Sequence, residues 1–450
     1  MSYVIAGRLM QTPAADRLQV VDEALIAVDD AGRIAAVESA GTPAGAELRR
    51  STTDLRGTAP GTVLLPGLVD LHVHAPQWPQ LGTGLDLPLE RWLFDYTFPL
   101  EAHYADLAFA RPIWADLVGT LLREGTTTAV YFATQDSDAT SALAQTAADA
   151  GQRAFVGRVA MDHPDGTPEW YRDSSATEGI RASARSIDDI VGIDAGRDLV
   201  RPIVTPRFTP ACTDDLLRGL GALAAATGTL VQTHCSESDW AHGHALERFG
   251  VTDTTALEAF GLLRRGTVLA HADHVTDADA SLIQARGAGI AHCPLSNAYF
   301  ANAVLPVRRL VEGGVRVGLG TDVSGGASPS VLRQAHDAVT MSRLLADGVD
   351  RAKSPTERGV PGSAIDTTFA FWLATLGGAN VLGAPVGLLE PGRRFDAVLV
   401  DTASRRGSLR VYPELDTPAR VFEKVVRLAA PADIVGVWVD GRRVVGDEEI

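Results

Sequence analysis

The chain has 450 residues, 46% of them apolar, and a formal net charge of -16 at neutral pH. That much apolar material supports one large core with an appendage, while the acidic balance excludes the clustered basic surface that a nucleic acid or an anionic membrane needs. What remains is a soluble protein whose partner is a free small molecule.

The opening MSYVIAGRLM lacks the charged and long apolar regions of a secretion signal, and no run of eighteen apolar residues follows, so a cytoplasmic protein is expected. Residues 1–65 read as hairpins, for example LIAVDDAGRIAAV (25–37) around Asp-Asp-Ala-Gly. From residue 66 to about 330, eight short β-branched runs alternate with helical stretches: 66–74, 126–134, 153–161, 200–208, 229–235, 267–271, 289–293 and 315–322. Segments such as 138–150 and 213–226 between them carry caps and apolar residues at helical spacing. Eight strand–helix units predict a parallel sheet closed into an α/β barrel of the TIM (β/α)8 type. Residues 385–450 return to hairpins, with VWVDGRRVV (437–445) turning at Asp-Gly. The expected organisation is a barrel over 66–384 and a small β-sandwich built from 1–65 and 385–450. Cys212, Cys235 and Cys293 are too scattered for a disulfide framework and read as small buried hydrophobes.

In such barrels the chemistry sits where strands end. His72 and His74 lie on one face of the first strand, because side chains alternate along it. The fourth strand ends in Arg207, the fifth in His234 followed by Glu237, the sixth in His271, the seventh in His292 and the eighth in Asp322. Three imidazoles and a carboxylate on one rim make a mononuclear site with room for a water, so His72, His74, His234 and Asp322 are the expected ligands of one divalent metal, zinc first and ferrous iron second. Satisfied core histidines compete with that reading at His72 and His74, and a helix cap competes at Asp322. The convergence of strand ends favours the metal. A second His-x-His, His242 and His244, lies in a helical pattern where residues two apart diverge, and is expected on the solvated surface. His103, His163 and His336 are expected in solvent too, and His274 in a loop beside the site.

Barrel, His-x-His, distal His and terminal Asp together resemble the amidohydrolase superfamily, and within it the guanine deaminases. The likeness is carried by PGLVDLHVHAPQW (66–78), LDLPLERWLFDYTFPLE (85–101), GTTTAVYFAT (125–134), GQRAFVGRVAMD (151–162), PIVTPRF (202–208), THCSE (233–237), IAHCPLSN (290–297) and GLGTDVSGG (318–326). Ala272 departs from it, standing where glycine is common, and residues 163–198 look variable. Binuclear members bridge their ions through a lysine or carboxylate on strand three or four; here both lysines, Lys353 and Lys424, lie beyond strand eight, which fits one metal.

The resemblance implies hydrolytic deamination of guanine to xanthine and ammonia, a step of purine catabolism, by a homodimer that activates water on its metal. Asp322 would accept the proton of that water, and Glu237 would carry protons to the ring nitrogen and the departing amine. A solvent-facing glutamate at a helix start is the competing reading of Glu237. His271 would polarise the substrate or steady the nucleophile. Arg207 would read the paired acceptors of the base, Gln77 its ring amide edge, and Phe208 its face. An ion pair, a loop amide and a core aromatic are the structural alternatives for those three. Two rival functions stand beside this one. The same site could deaminate another aminated heterocycle, an oxidised guanine, a pterin or a triazine, or the barrel could be an inactive scaffold.

Overall fold

The hairpin signals at the two ends of the chain become one sheet in the computed structural model, which describes residues 3–193 and 196–446. Its strands before the barrel are β1 (Tyr3–Ala14), β2 (Arg17–Val28), β3 (Ile34–Ser39), β4 (Leu55–Gly57) and β5 (Thr62–Pro66). The barrel follows with β6 (Leu68–His74), β7 (Thr126–Phe132), β8 (Arg153–Gly157), β9 (Val159–Ala160), β10 (Val200–Pro206), β11 (Leu230–Cys235), β12 (Val268–His271), β13 (Gly289–His292) and β14 (Arg316–Leu319). The chain then returns to the first sheet through β15 (Ala397–Asp401), β16 (Ile434–Val439) and β17 (Arg442–Val445).

The terminal strands run in the order β17-β16-β15-β5-β1-β2-β3, with β4 beside β1. The sandwich expected from the termini is thus one continuous hydrogen-bonded sheet that folds back on itself. Its arms meet where Tyr3 Oη donates to the Gly441 carbonyl at 2.6 Å and Ile34 N to the Arg393 carbonyl at 2.8 Å. Ile5, Ile26, Phe395 and Trp438 share the apolar layer between them. Asp440 and Gly441 turn the last hairpin at φ of 52° and 77°, the left-handed pair that a two-residue turn matching strand twist demands.

Every barrel strand falls inside one of the eight apolar runs. The run at 153–161 splits at Arg158, which leaves the ladder to pair with Asp173. The parallel order is β14-β13-β12-β11-β10-β8-β7-β6, with β9 beside β10. Closure is made just past β14: Asp322 N donates to the His72 carbonyl and His74 N to the Val323 carbonyl, both at 2.8 Å. Closing the ring therefore brings the eighth strand end against the first.

Local chemistry sets the helices. Asp136 caps Ser137–Ala150 through Ala139 N, Gly151 ends it at φ 75°, and Thr213 caps Asp214–Thr227 through Leu216 N. Arg153 joins the two layers, reaching from the barrel to Asp396 at 3.0 Å with both groups buried. No helix among the described residues is long and apolar enough to cross a membrane.

Candidate active site

The barrel brings His72, His74, His234, His271 and Asp322 to one point. His72 Nε2 lies 3.2 Å and His74 Nε2 3.6 Å from Asp322 Oδ1, and His74 Nε2 faces His234 Nε2 at 2.9 Å. Burial pushes His72, His74 and His234 well below the usual imidazole range, with neighbouring imidazoles adding repulsion, so all three are neutral. Neutral rings offer lone pairs. His234 Nδ1 donates to the Arg207 carbonyl at 2.6 Å, which leaves Nε2 as the free lone pair. Both ring nitrogens of His72 are buried without a hydrogen-bond partner. A His234 lone pair aimed at His74 and a His72 ring with neither nitrogen partnered are costly alone, and three nitrogens with one carboxylate could relieve that cost by holding a divalent cation. Phe132, at the end of β7, packs against His72, His74 and His234 with ring centroids 4.8 Å away and shapes the cluster from the side.

Glu237 is buried rather than solvent-facing. Desolvation, reinforced by the nearby Asp322, pushes its carboxyl well above the usual range, which favours the protonated acid. His271 Nε2 stands 3.6 Å from Glu237 Oε1 and 3.9 Å from Asp322 Oδ2. Asp322 does not cap a helix; its backbone takes φ 49°, and its carboxylate turns inward to the histidines. Behind it Asp70 receives Thr321 N at 2.9 Å and Thr321 Oγ1 at 2.6 Å, fixing the start of this turn.

Gln77, Arg207 and Phe208 form the wall facing the cluster. A carboxylate outside the expected set organises them: Glu101 accepts from Arg207 Nη1 at 2.6 Å, Arg207 Nη2 at 3.1 Å, Gln77 Nε2 at 3.0 Å and Tyr171 Oη at 3.0 Å. Arg207 therefore makes the ion pair that was its structural alternative, yet it still lines the cavity. Gln77 Oε1 accepts from Ser324 N at 3.2 Å, so its amide is pinned at both ends. Phe208 stands edge-on to His234 at 6.0 Å. Gln77, Arg207 and Phe208, with Glu237, Asp322, Trp92 and Phe300, line one cavity over the cluster.

Other expectations need correction. His242 and His244 are half-buried, because His242 Nδ1 meets Ser236 Oγ at 3.2 Å and its ring stacks on His274 at 5.5 Å. His274 turns away from the cluster to the Ala301 carbonyl. His163 and His336 are half-buried as well, held by Asp165 N and Asp337, while His103 is exposed. His292 is buried outside the ligand sets, and desolvation lowers it to about 3.

The Amidohydrolase family model matches residues 63–444. Guanine deaminase of Dictyostelium discoideum is 34% identical over 85% of this chain and 82% of its own length. Guanine deaminase of Homo sapiens is 33% identical over 99% and 97%. Among solved structures, guanine deaminase from C. acetobutylicum with guanine bound in its active site superposes with a TM-score of 0.86 at 28% identity, over 98% of this chain and 99% of that one.

Proposed function

This chain belongs to the amidohydrolase family, and on that premise we propose that it hydrolyses guanine to xanthine and ammonia. One observation carries the reading. The inward-facing histidine–aspartate cluster shares its cavity with a buried acid, Glu237, and with a wall of donors and acceptors, Gln77 and Arg207, that suits a purine edge. The relatives named guanine deaminase support the choice of base.

His72, His74, His234 and Asp322 would hold one metal, zinc by their three nitrogens and one oxygen, with ferrous iron the alternative. What a bound metal supplies is a nucleophilic water at neutral pH, since zinc lowers the pKa of its water to about 7. The protein's own groups do the rest. Arg207 spends two of its five N–H donors on Glu101, and the others remain for the acceptors O6 and N7. Gln77 keeps one N–H and one lone pair for the ring amide edge. Phe208 and Trp92 exclude water from the faces of the base. Glu237 gives its carboxyl proton to the ring nitrogen beside C2, then takes the proton of the new C2 hydroxyl as the carbonyl forms and hands it to the departing amine. Asp322 receives the proton that the attacking water releases and passes it back to Glu237, which restores both carboxyl groups.

Metal-replete protein incubated with guanine should yield xanthine and ammonia in equal amounts, followed by chromatography and a coupled ammonia assay. Lack of both products at verified metal occupancy overturns the reading, and faster turnover of an oxidised guanine, a pterin or a triazine would move the substrate. The three buried free thiols suit a reducing compartment, so we place the enzyme in the cytoplasm. A homodimer rests on the family likeness, and light scattering at a mass of two chains is its test.

A further inference from the structure

A neutral imidazole offers a lone pair from one nitrogen only, and the bond made by the other nitrogen decides which. His271 is fully buried at the end of β12, and its Nδ1 lies 2.8 Å from Asn297 Oδ1. Asn297 sits in the helix Pro294–Phe300, and its Nδ2 donates to Asp273 Oδ1 at 2.8 Å. That second bond orients the amide: with nitrogen committed to a carboxyl oxygen, oxygen must face the ring. An amide oxygen only accepts, so the hydrogen of His271 resides on Nδ1. Nε2 is then a lone pair. It has no hydrogen-bond partner among the described residues and faces Glu237 Oε1 at 3.6 Å. Neither Asn297 nor Asp273 is among the residues lining the cavity.

We propose that Asn297, anchored by Asp273, is a positioning residue that holds His271 as the Nδ1–H tautomer, so that Nε2 accepts a hydrogen bond from the reacting water or from the acid of Glu237. The opposite tautomer would present a hydrogen where the reaction needs an acceptor. The catalytic part of this inference rests on the deamination reading, whereas the tautomer can be observed without substrate.

The test is a two-bond ¹H–¹⁵N correlation spectrum of histidine-labelled, metal-replete protein, with His271 assigned from the signals that His271→Gln removes. His271 should show a protonated Nδ1 and an unprotonated Nε2. Asn297→Leu removes the acceptor at similar volume; it should lose that signature and lower kcat about 100-fold, with KM and metal content retained. Asp273→Asn keeps an oxygen to accept from Asn297 Nδ2, and should keep the signature and stay within about tenfold of the parent rate. A protonated Nε2 in the parent overturns the proposal without any variant, which covers the case in which Asn297→Leu fails to fold. A folded Asn297→Leu with unchanged tautomer and kcat overturns it as well. Absence of guanine turnover in the parent would defeat the deamination reading and leave the tautomer result to stand or fall alone.

Discussion

At Glu237 the burial that makes a carboxylate costly makes a carboxylic acid available, and desolvation is the first cause of its raised pKa. Glu237→Gln keeps shape and neutrality but has no proton to give. Turnover of guanine should fall by about 10²–10⁴-fold while metal analysis finds the parent's content. His72→Ala is expected to do the reverse in order, losing metal first and activity with it, as elemental analysis after dialysis would show. Glu101 matters for a different reason. Among the described residues it is the one carboxylate in an ion pair with the buried Arg207, so Glu101→Gln removes the direct countercharge of that guanidinium. Breaking such a pair costs about 3–5 kcal/mol, and thermal unfolding should shift down accordingly, with KM for guanine raised as Arg207 and Gln77 lose their common anchor.

The turn after β14 is the element on which the site depends most. Its glycines leave room for their neighbours: a Cβ on Gly325 would stand 2.6 Å from Asp322 Oδ2, and one on Gly320 would stand 2.7 Å from His72 Cβ. Gly325→Ala should therefore displace the Asp322 carboxylate and reduce metal affinity, measurable by competition with a chelator while the circular dichroism spectrum is unchanged. The turn after β12 tells a different story at Ala272, which adopts φ 59° and is wholly buried. Glycine there would relieve about 1 kcal/mol of left-handed strain. It would also remove a buried methyl worth about 0.8 kcal/mol and loosen the unfolded chain by about 0.4–1 kcal/mol. The second and third effects outweigh the first, so Ala272→Gly is expected to be neutral to mildly destabilising in urea unfolding. Alanine is thus compatible with this loop.

Across the whole molecule, buried charges link layers that lie far apart in the chain. Asp253 receives Ser236 N at 2.9 Å and Thr209 Oγ1 at 2.8 Å, tying the loop that carries Glu237 to the end of β10. Desolvation pushes it up to about 6 from its ordinary 3.8. Because the folded value is the higher one, its contribution to stability is complete below its ordinary pKa and is lost as pH rises through about 6. The loss amounts to about 3 kcal/mol at most. Asp253→Asn should flatten that part of the stability–pH profile, as urea unfolding at a series of pH values would reveal. Arg153, paired with Asp396, ties the barrel to the terminal sheet across 243 residues of chain.

The sequence by itself determined whatever depends on neighbours a few residues apart. Short β-branched apolar runs specified the barrel strands, a cap at Thr213 started a helix, Asp440-Gly441 turned a hairpin, and alternation put His72 and His74 on one face. Strand-end position gathered His234, Glu237, His271 and Asp322 into one group, but it offered His292 with them, which the structure leaves outside the ligand sets. Only the tertiary structure decided how buried polar groups are satisfied. Glu101 lies 24, 70 and 106 residues from the Gln77, Tyr171 and Arg207 that it anchors, and its only sequence signal was the Thr-Phe-Pro-Leu-Glu turn at 97–101. Asn297 and Asp273 showed no periodicity that would have joined them to His271, and the half-burial of His242 follows from Ser236 and His274 rather than from its own helix. Secondary structure is governed by local sterics and local hydrogen bonds, which a sequence displays. The partner of a desolvated charge is chosen by ring closure, which brings together groups that no short-range pattern connects.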